Sequence, residues 1–204
     1  MPGKRIQIDE ETWQQLNLLG HDQSGTIAEI GFDLYTQLLE EAVAEMRGEP
    51  ARVDIEPEVT LPVPALIPDD YVPDVHQRLV FYKRFSSAGS ADEVSDLRAE
   101  LVDRYGVLPD EVDALSELML LKQDMRELRL RALESGPGRL VVTLGQDALL
   151  DGARLAALVQ KSKGVYRLTP DLKLVARRDG PDKAAALLGD AKKVLRDLAG
   201  CAAG

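Results

Sequence analysis

Residues 139–178, RLVVTLGQDALLDGARLAALVQKSKGVYRLTPDLKLVARR, decide the fold class because the periodicity of the apolar residues changes three times within them. Residues 140–144 form a short β-branched run, and 151–163 place leucines and alanines at helical spacing behind Asp151. Residues 165–168 and 172–176 then return to strand character. Only Thr169, Pro170 and Asp171 separate them, which predicts a hairpin with a two-residue turn. A last helix is expected over 181–198. Residues 139–204 therefore read as a small β-α-β-β-α unit, and the helical pattern of the preceding chain makes the whole an α+β fold.

Upstream, the helices announce themselves by their ends. Pro73 opens a helix through about residue 85, with Asp74 at its positive end. Ser90 and Glu93 make an S-x-x-E capping box for a helix that Tyr105-Gly106 stops. Pro109 begins another, expected to reach about residue 133 before the glycines and proline of 136–138. Residues 49–73 are rich in proline and poor in helix formers. The alternation at 58–63 suits an edge strand, where a missing N–H costs no ladder bond, inside an otherwise extended linker. Nearer the start, 4–8 (KRIQI) reads as a strand and 9–19 as a capped helix. Residues 27–47, after a loop bounded by Gly20 and Gly25, read as an amphipathic helix ending at Gly48. The expected organisation is an N-terminal strand and helix (1–23), a connecting helix (24–48), a linker (49–73) and a C-terminal domain (74–204).

The chain is 204 residues long, 45% hydrophobic and 29% charged, with a formal net charge of −10. That is enough apolar material for a core. The charge is uneven: positions 1–138 hold 13 basic and 28 acidic residues, and 139–204 hold 12 and 7. An acidic front argues against broad DNA binding and for a basic protein partner, with the basic tail leaving weak DNA contact open. Cys201 is the one cysteine, so neither an internal disulfide nor a cysteine zinc site can form. With no long apolar run, a soluble cytoplasmic protein is expected.

Candidate chemistry is sparse. His21, Asp22 and Ser24 are triad residue types, but they lie within four residues of one another and cannot approach from separate backbone segments. Capping of the next helix by Ser24 or Thr26 is the simpler reading. His76 has no ligand-spaced companions, and neither a phosphate loop nor a cofactor motif is present; no cofactor is expected. Residues 78–85, RLVFYKRF, interleave bases with aromatics. At helical spacing Val75, Leu79, Tyr82 and Phe85 form a packed face, with the bases on a solvated edge. Residues 92–117 carry nine acids against Arg98 and Arg104. Among them Asp96, Glu100 and Asp103 stand at i, i+4 and i+7, hence on one helix face, which makes that face a candidate docking site for a cationic partner.

Three segments, LLGHDQSGTIAEIGFDLYTQLLEEAV (18–43), LPVPALIPDDYVPDVHQRLVFYKRFSSA (61–88) and LRAELVDRYGVLPDEVDAL (97–115), resemble the C-terminal part of the bacterial transcription-repair coupling factor. That family is an ATP-driven translocase of double-stranded DNA that displaces stalled RNA polymerase and recruits the excision-repair damage-recognition ATPase. The resemblance implies that this chain holds the end of the translocation motif, marked by Gly20, Gln23 and Gly25, then the connecting helix and the regulatory domain. Both motor lobes, the polymerase-binding module and the repair-protein-binding module would be absent, so no enzymatic turnover is expected. The family's E-L-x-D-R-aromatic-G segment, here with Glu100 and Asp103, implies carboxylates that dock on and mask the repair-protein-binding module, in cis or in trans. The protein would act in the bacterial cytoplasm, at the nucleoid. The strand at 4–8 sustains a competing reading, a ribbon-helix-helix DNA binder with Arg5 and Gln7 facing base edges.

Overall fold

A computed structural model describes residues 56–181 and 183–203. The expectations for 1–55, including Arg5, Gln7, Gly20, Gln23, Gly25 and the His21, Asp22 and Ser24 cluster, lie outside the described residues. The described chain is α+β: β1 (Glu58–Thr60), α1 (Val75–Ser87), α2 (Ala91–Tyr105), α3 (Asp110–Glu127), β2 (Leu130–Gly136), β3 (Arg139–Leu144), α4 (Gly152–Lys161), β4 (Tyr166–Leu168), β5 (Lys173–Arg177) and α5 (Ala184–Ala199).

Three helices begin where local chemistry satisfies orphan N–H groups. Asp74 accepts from Gln77 N at the start of α1, Ser90 from Glu93 N at α2, and Asp151 from Arg154 N at α4. The capping box at α2 is shifted by one residue, for the Glu93 carboxylate reaches back to Gly89 N, 2.8 Å away, rather than to Ser90. Pro109 occupies the N-cap of α3 rather than its first helical position. Gly106, at φ 93°, ends α2 as expected.

The five strands form one mixed sheet in the order β1-β2-β3-β5-β4, with β1 parallel to β2 and every other pair antiparallel. The strand at 58–60 does lie at an edge. Strand β2 corrects the expectation that α3 runs to residue 133. Helix α3 stops at Glu127, and Arg129, exposed and at φ 53°, turns the chain into the strand. Residues 136–138 therefore close a β2–β3 hairpin, with Gly138 at φ 64°. The β4–β5 turn is also wider than expected: Leu172 N bonds Thr169 O, Thr169 N bonds Lys173 O, and Leu172 sits at φ 58°, giving a three-residue loop.

Alternate strand residues point to one side, where Leu133, Leu140, Val142 and Leu174 meet the helices. Helix α5 lays Leu187, Ala191, Val194 and Leu198 into the same cluster. The extended stretch after β1 contributes Ala65, Ile67 and Val72. Its backbone lacks a sheet neighbour, so side chains supply partners. The Tyr82 hydroxyl accepts from Ile67 N at 2.7 Å, and the buried Arg78 donates to Val72 O at 2.6 Å. Arg78 thus departs from the expected solvated edge, because the loop carbonyls need a donor. The C-terminal tail is tied to α4 by Asp151 N to Cys201 O and Arg154 to Ala202 O.

Candidate docking face on helix α2

Helix α2 buries Val94, Leu97 and Leu101 at i, i+3 and i+7 against the core. That stripe turns Asp96, Glu100 and Asp103 to the other side, and the three do share a face. Their circumstances differ. Asp96 and Asp103 are exposed and have no ion-pair partner among the described residues. Glu100 is half-buried between two arginines. Arg84, on α1, is 2.6 Å from one carboxylate oxygen, and Arg104, one turn along α2, is 3.0 Å from the other. The Arg84 hydrogen bond is the main reason the Glu100 carboxyl titrates below its ordinary range; desolvation opposes it and Arg104 adds to it.

Aromatic rings hold these arginines in place. The Arg84 guanidinium lies 5.5 Å from the centre of the Phe81 ring, and Arg104 lies 5.5 Å from Phe81 and 5.2 Å from Tyr105. Arg104 also donates to the Gln77 side chain at 3.0 Å. Beneath them, Tyr71 and Phe81 pack against Tyr105 at centroid distances of 5.8 and 6.2 Å. The Tyr71 hydroxyl stands 3.1 Å from Leu101 O and 3.0 Å from Gly106 O, closing the end of α2. Burial, and secondarily Tyr105, raises the Tyr71 pKa, which keeps that hydroxyl a donor.

The remaining acids of 92–117 divide in the same way. Asp113 pairs with Arg98 at 2.6 Å, and Glu117 pairs with Lys192 of α5, so both tie helices together. Asp92 and Asp110 are exposed. The acidic spacing was readable in the sequence. The clamp around Glu100 was not, because Arg84 and Phe81 belong to another helix; the bases and aromatics of 78–85 were its only trace. His76 is exposed in the first turn of α1. Among the described residues, no three His, Cys, Asp or Glu side chains converge to hold a metal, and no helix is long and apolar enough to cross a membrane.

The TRCF domain family matches residues 61–155, a span that runs from β1's exit through the docking face and into α4. Over 186 residues, 91% of this chain, it is 73% identical to the transcription-repair-coupling factor of Myxococcus xanthus. The chain belongs to the transcription-repair-coupling factor family. The factor of Escherichia coli K12 is 40% identical over 156 residues, 74% of this chain. The chain spans only 16% of the M. xanthus factor and 14% of the E. coli one. A solved structure, the crystal structure of the C-terminal domain of transcription-repair coupling factor, shares the fold with a TM-score of 0.57 at 20% identity. It covers 74% of this chain and 99% of its own. The α+β layout is therefore that of the C-terminal domain, which is not the ATPase motor.

Proposed function

We propose that this domain is a non-catalytic docking element of the coupling factor, and that the α2 face seats on the repair-protein-binding module and masks it. The observation that carries this reading is the pair of exposed, unpartnered carboxylates, Asp96 and Asp103, flanking a Glu100 that two arginines hold fixed. A partner presenting arginines would gain charge-assisted hydrogen bonds to Asp96 and Asp103 and would be steered by the acidic surface. Glu100 serves this face in a different way. Its charge is already matched, so it sets the position of Arg84 and Arg104 along the rim. Contacts to RNA polymerase and to the excision-repair damage-recognition ATPase would be indirect, through the masked module.

The test uses the full chain and the purified repair-protein-binding module of the M. xanthus relative in titration calorimetry. Asp96→Lys with Asp103→Lys is expected to weaken binding by about tenfold or more, as loss of interfacial charge pairs does, and the parent affinity to fall as salt rises. Unchanged affinity in the double variant overturns the docking role of these carboxylates. Glu100→Lys is expected to weaken binding as well, but with a lowered unfolding midpoint, because it sets three cations against one another.

A further inference from the structure

The sheet covers its core with helices on one side only. On its other side, every residue of the antiparallel register is exposed or half-buried. That open face is divided by charge. Glu134 on β2 is exposed and faces Val141 across the β2–β3 pair, whereas β3, β5 and β4 bring up Arg139, Lys173, Arg177 and Arg167. Arg139 stands directly opposite Arg177. The bonds from Leu144 N to Leu172 O and from Arg178 N to Gly138 O put the β3–β5 ladder bonds on even-numbered residues, so Arg139 and Arg177 form a non-hydrogen-bonded pair. Such a pair brings the Cα atoms to about 4.5 Å, the closest cross-strand approach. Like charges there are unfavourable. Arg139 answers by lying over Gly136, where a Cβ would come within 3.1 Å of its Nε. Arg167, opposite Val175, stands diagonal to both Lys173 and Arg177.

Acids relieve these four bases only in part. Asp171 and Asp179 lie beyond the two ends of β5, 3.7 Å from Lys173 and 3.3 Å from Arg177, and ion pairs as exposed as these contribute little. Glu134 is diagonal to Arg139 without pairing with it, and neither Arg139 nor Arg167 has an ion pair among the described residues. The bases follow a strip about 14 Å long on β5 and its neighbours rather than converging on one point, which suits an extended polyanion. Phosphates on each strand of a duplex recur about every 3.4 Å along its axis, so the strip meets several. Val141 and Val175 offer only a flat, half-buried pair, not pockets for the apolar anchors of an acidic protein segment. The face also carries no aromatic ring on which unpaired bases could stack. We infer that Arg139, Arg167, Lys173 and Arg177 bind the phosphate backbone of duplex DNA without reading its sequence. Glu134 bounds the strip and keeps phosphates over β5 and β4. The strip lies on the side of the sheet away from the helices, so it leaves the α2 face to its own partner. The formal charge of −10 opposes DNA at long range, which confines binding to low salt.

Fluorescence anisotropy of a labelled duplex of about 20 base pairs, titrated with the full chain between about 50 and 200 mM NaCl, tests this. Four phosphate contacts give a log–log salt slope of about −3.6, a loss of affinity of roughly a hundredfold over that range. Arg139→Gln with Arg177→Gln is expected to make the slope shallower by about 2. Lys161→Gln with Lys193→Gln, which removes exposed bases on α4 and α5, is expected to leave it unchanged. Removing a like-charge pair should not lower the unfolding midpoint, so lost binding is distinguishable from lost folding. No binding of the duplex at the lowest salt overturns the inference, as does a slope indifferent to the changes at Arg139 and Arg177. A poly-glutamate peptide bound by the parent but not by that double variant, with no binding of the duplex, assigns the strip to an acidic protein and overturns it too.

Discussion

Glu100 links stability to pH in a direction that its two arginines fix. Its carboxyl titrates below the ordinary 4.5 in the fold. The stability it contributes is therefore complete above that value and is lost as pH falls through the depressed pKa, because the unfolded chain then takes up the proton first. Glu100→Gln is expected to lower stability at pH 7 and to show a flatter acid limb than the parent, measured as urea unfolding free energy from pH 7 to pH 3. Parallel curves would mean that the clamp contributes nothing to the fold. The side chain is partly exposed to solvent, so screening keeps the effect modest and salt should reduce it. The carboxylate spacing was legible at this scale, and the clamp was not: sequence spacing reports neighbours along one helix, whereas Arg84 arrives from α1.

The ends of the elements were legible where they are chemically marked and hidden where they are not. Ser90, Glu93 and Gly106 bound α2, and each announces its role by residue type. At the end of α3 the left-handed turn falls on Arg129, which carries none of the glycine or asparagine signal that usually marks such a position. Leu128, Leu130 and Leu133 continue an apolar pattern across the boundary, and all three are buried, as the last turn of a helix would also have them. Helix and strand were thus indistinguishable by periodicity over those few residues. The same conformation supplies a prediction. A side chain in this region costs about 1–2 kcal/mol, part of which glycine returns through its greater freedom in the unfolded chain. Arg129→Gly is expected to raise the unfolding free energy by up to about 1 kcal/mol, and the denaturant midpoint with it, at an unchanged denaturant slope. A lower midpoint would show that the exposed Arg129 side chain outweighs the backbone strain.

Across the molecule, helices and sheet share one hydrophobic cluster, which runs from Val59 in β1 to Leu198 in α5. The order of helices before strands was readable from the switch in period. The sharing of the core was not, because β1 and β2 join the sheet from segments whose pattern reads as linker and helix. Leu133 lies at the centre of β2, fully buried, paired with Val142 on one side and aligned with Val59 on the other. Its truncation removes contacts on both sides of the β1–β2 junction, and Leu133→Ala is expected to cost about 2–5 kcal/mol. If the cluster opens as a unit, amide exchange protection should fall by the same free energy in α2 and in β5, though neither strand nor helix touches the altered residue through its own hydrogen bonds. A loss of protection confined to the sheet would divide the core in two. The proposed docking role depends on which holds: with one cooperative core, a cavity under β2 raises the unfolded fraction everywhere, and binding at Asp96 and Asp103 would weaken only by that fraction, whereas charge reversal at those two exposed carboxylates would act on binding alone.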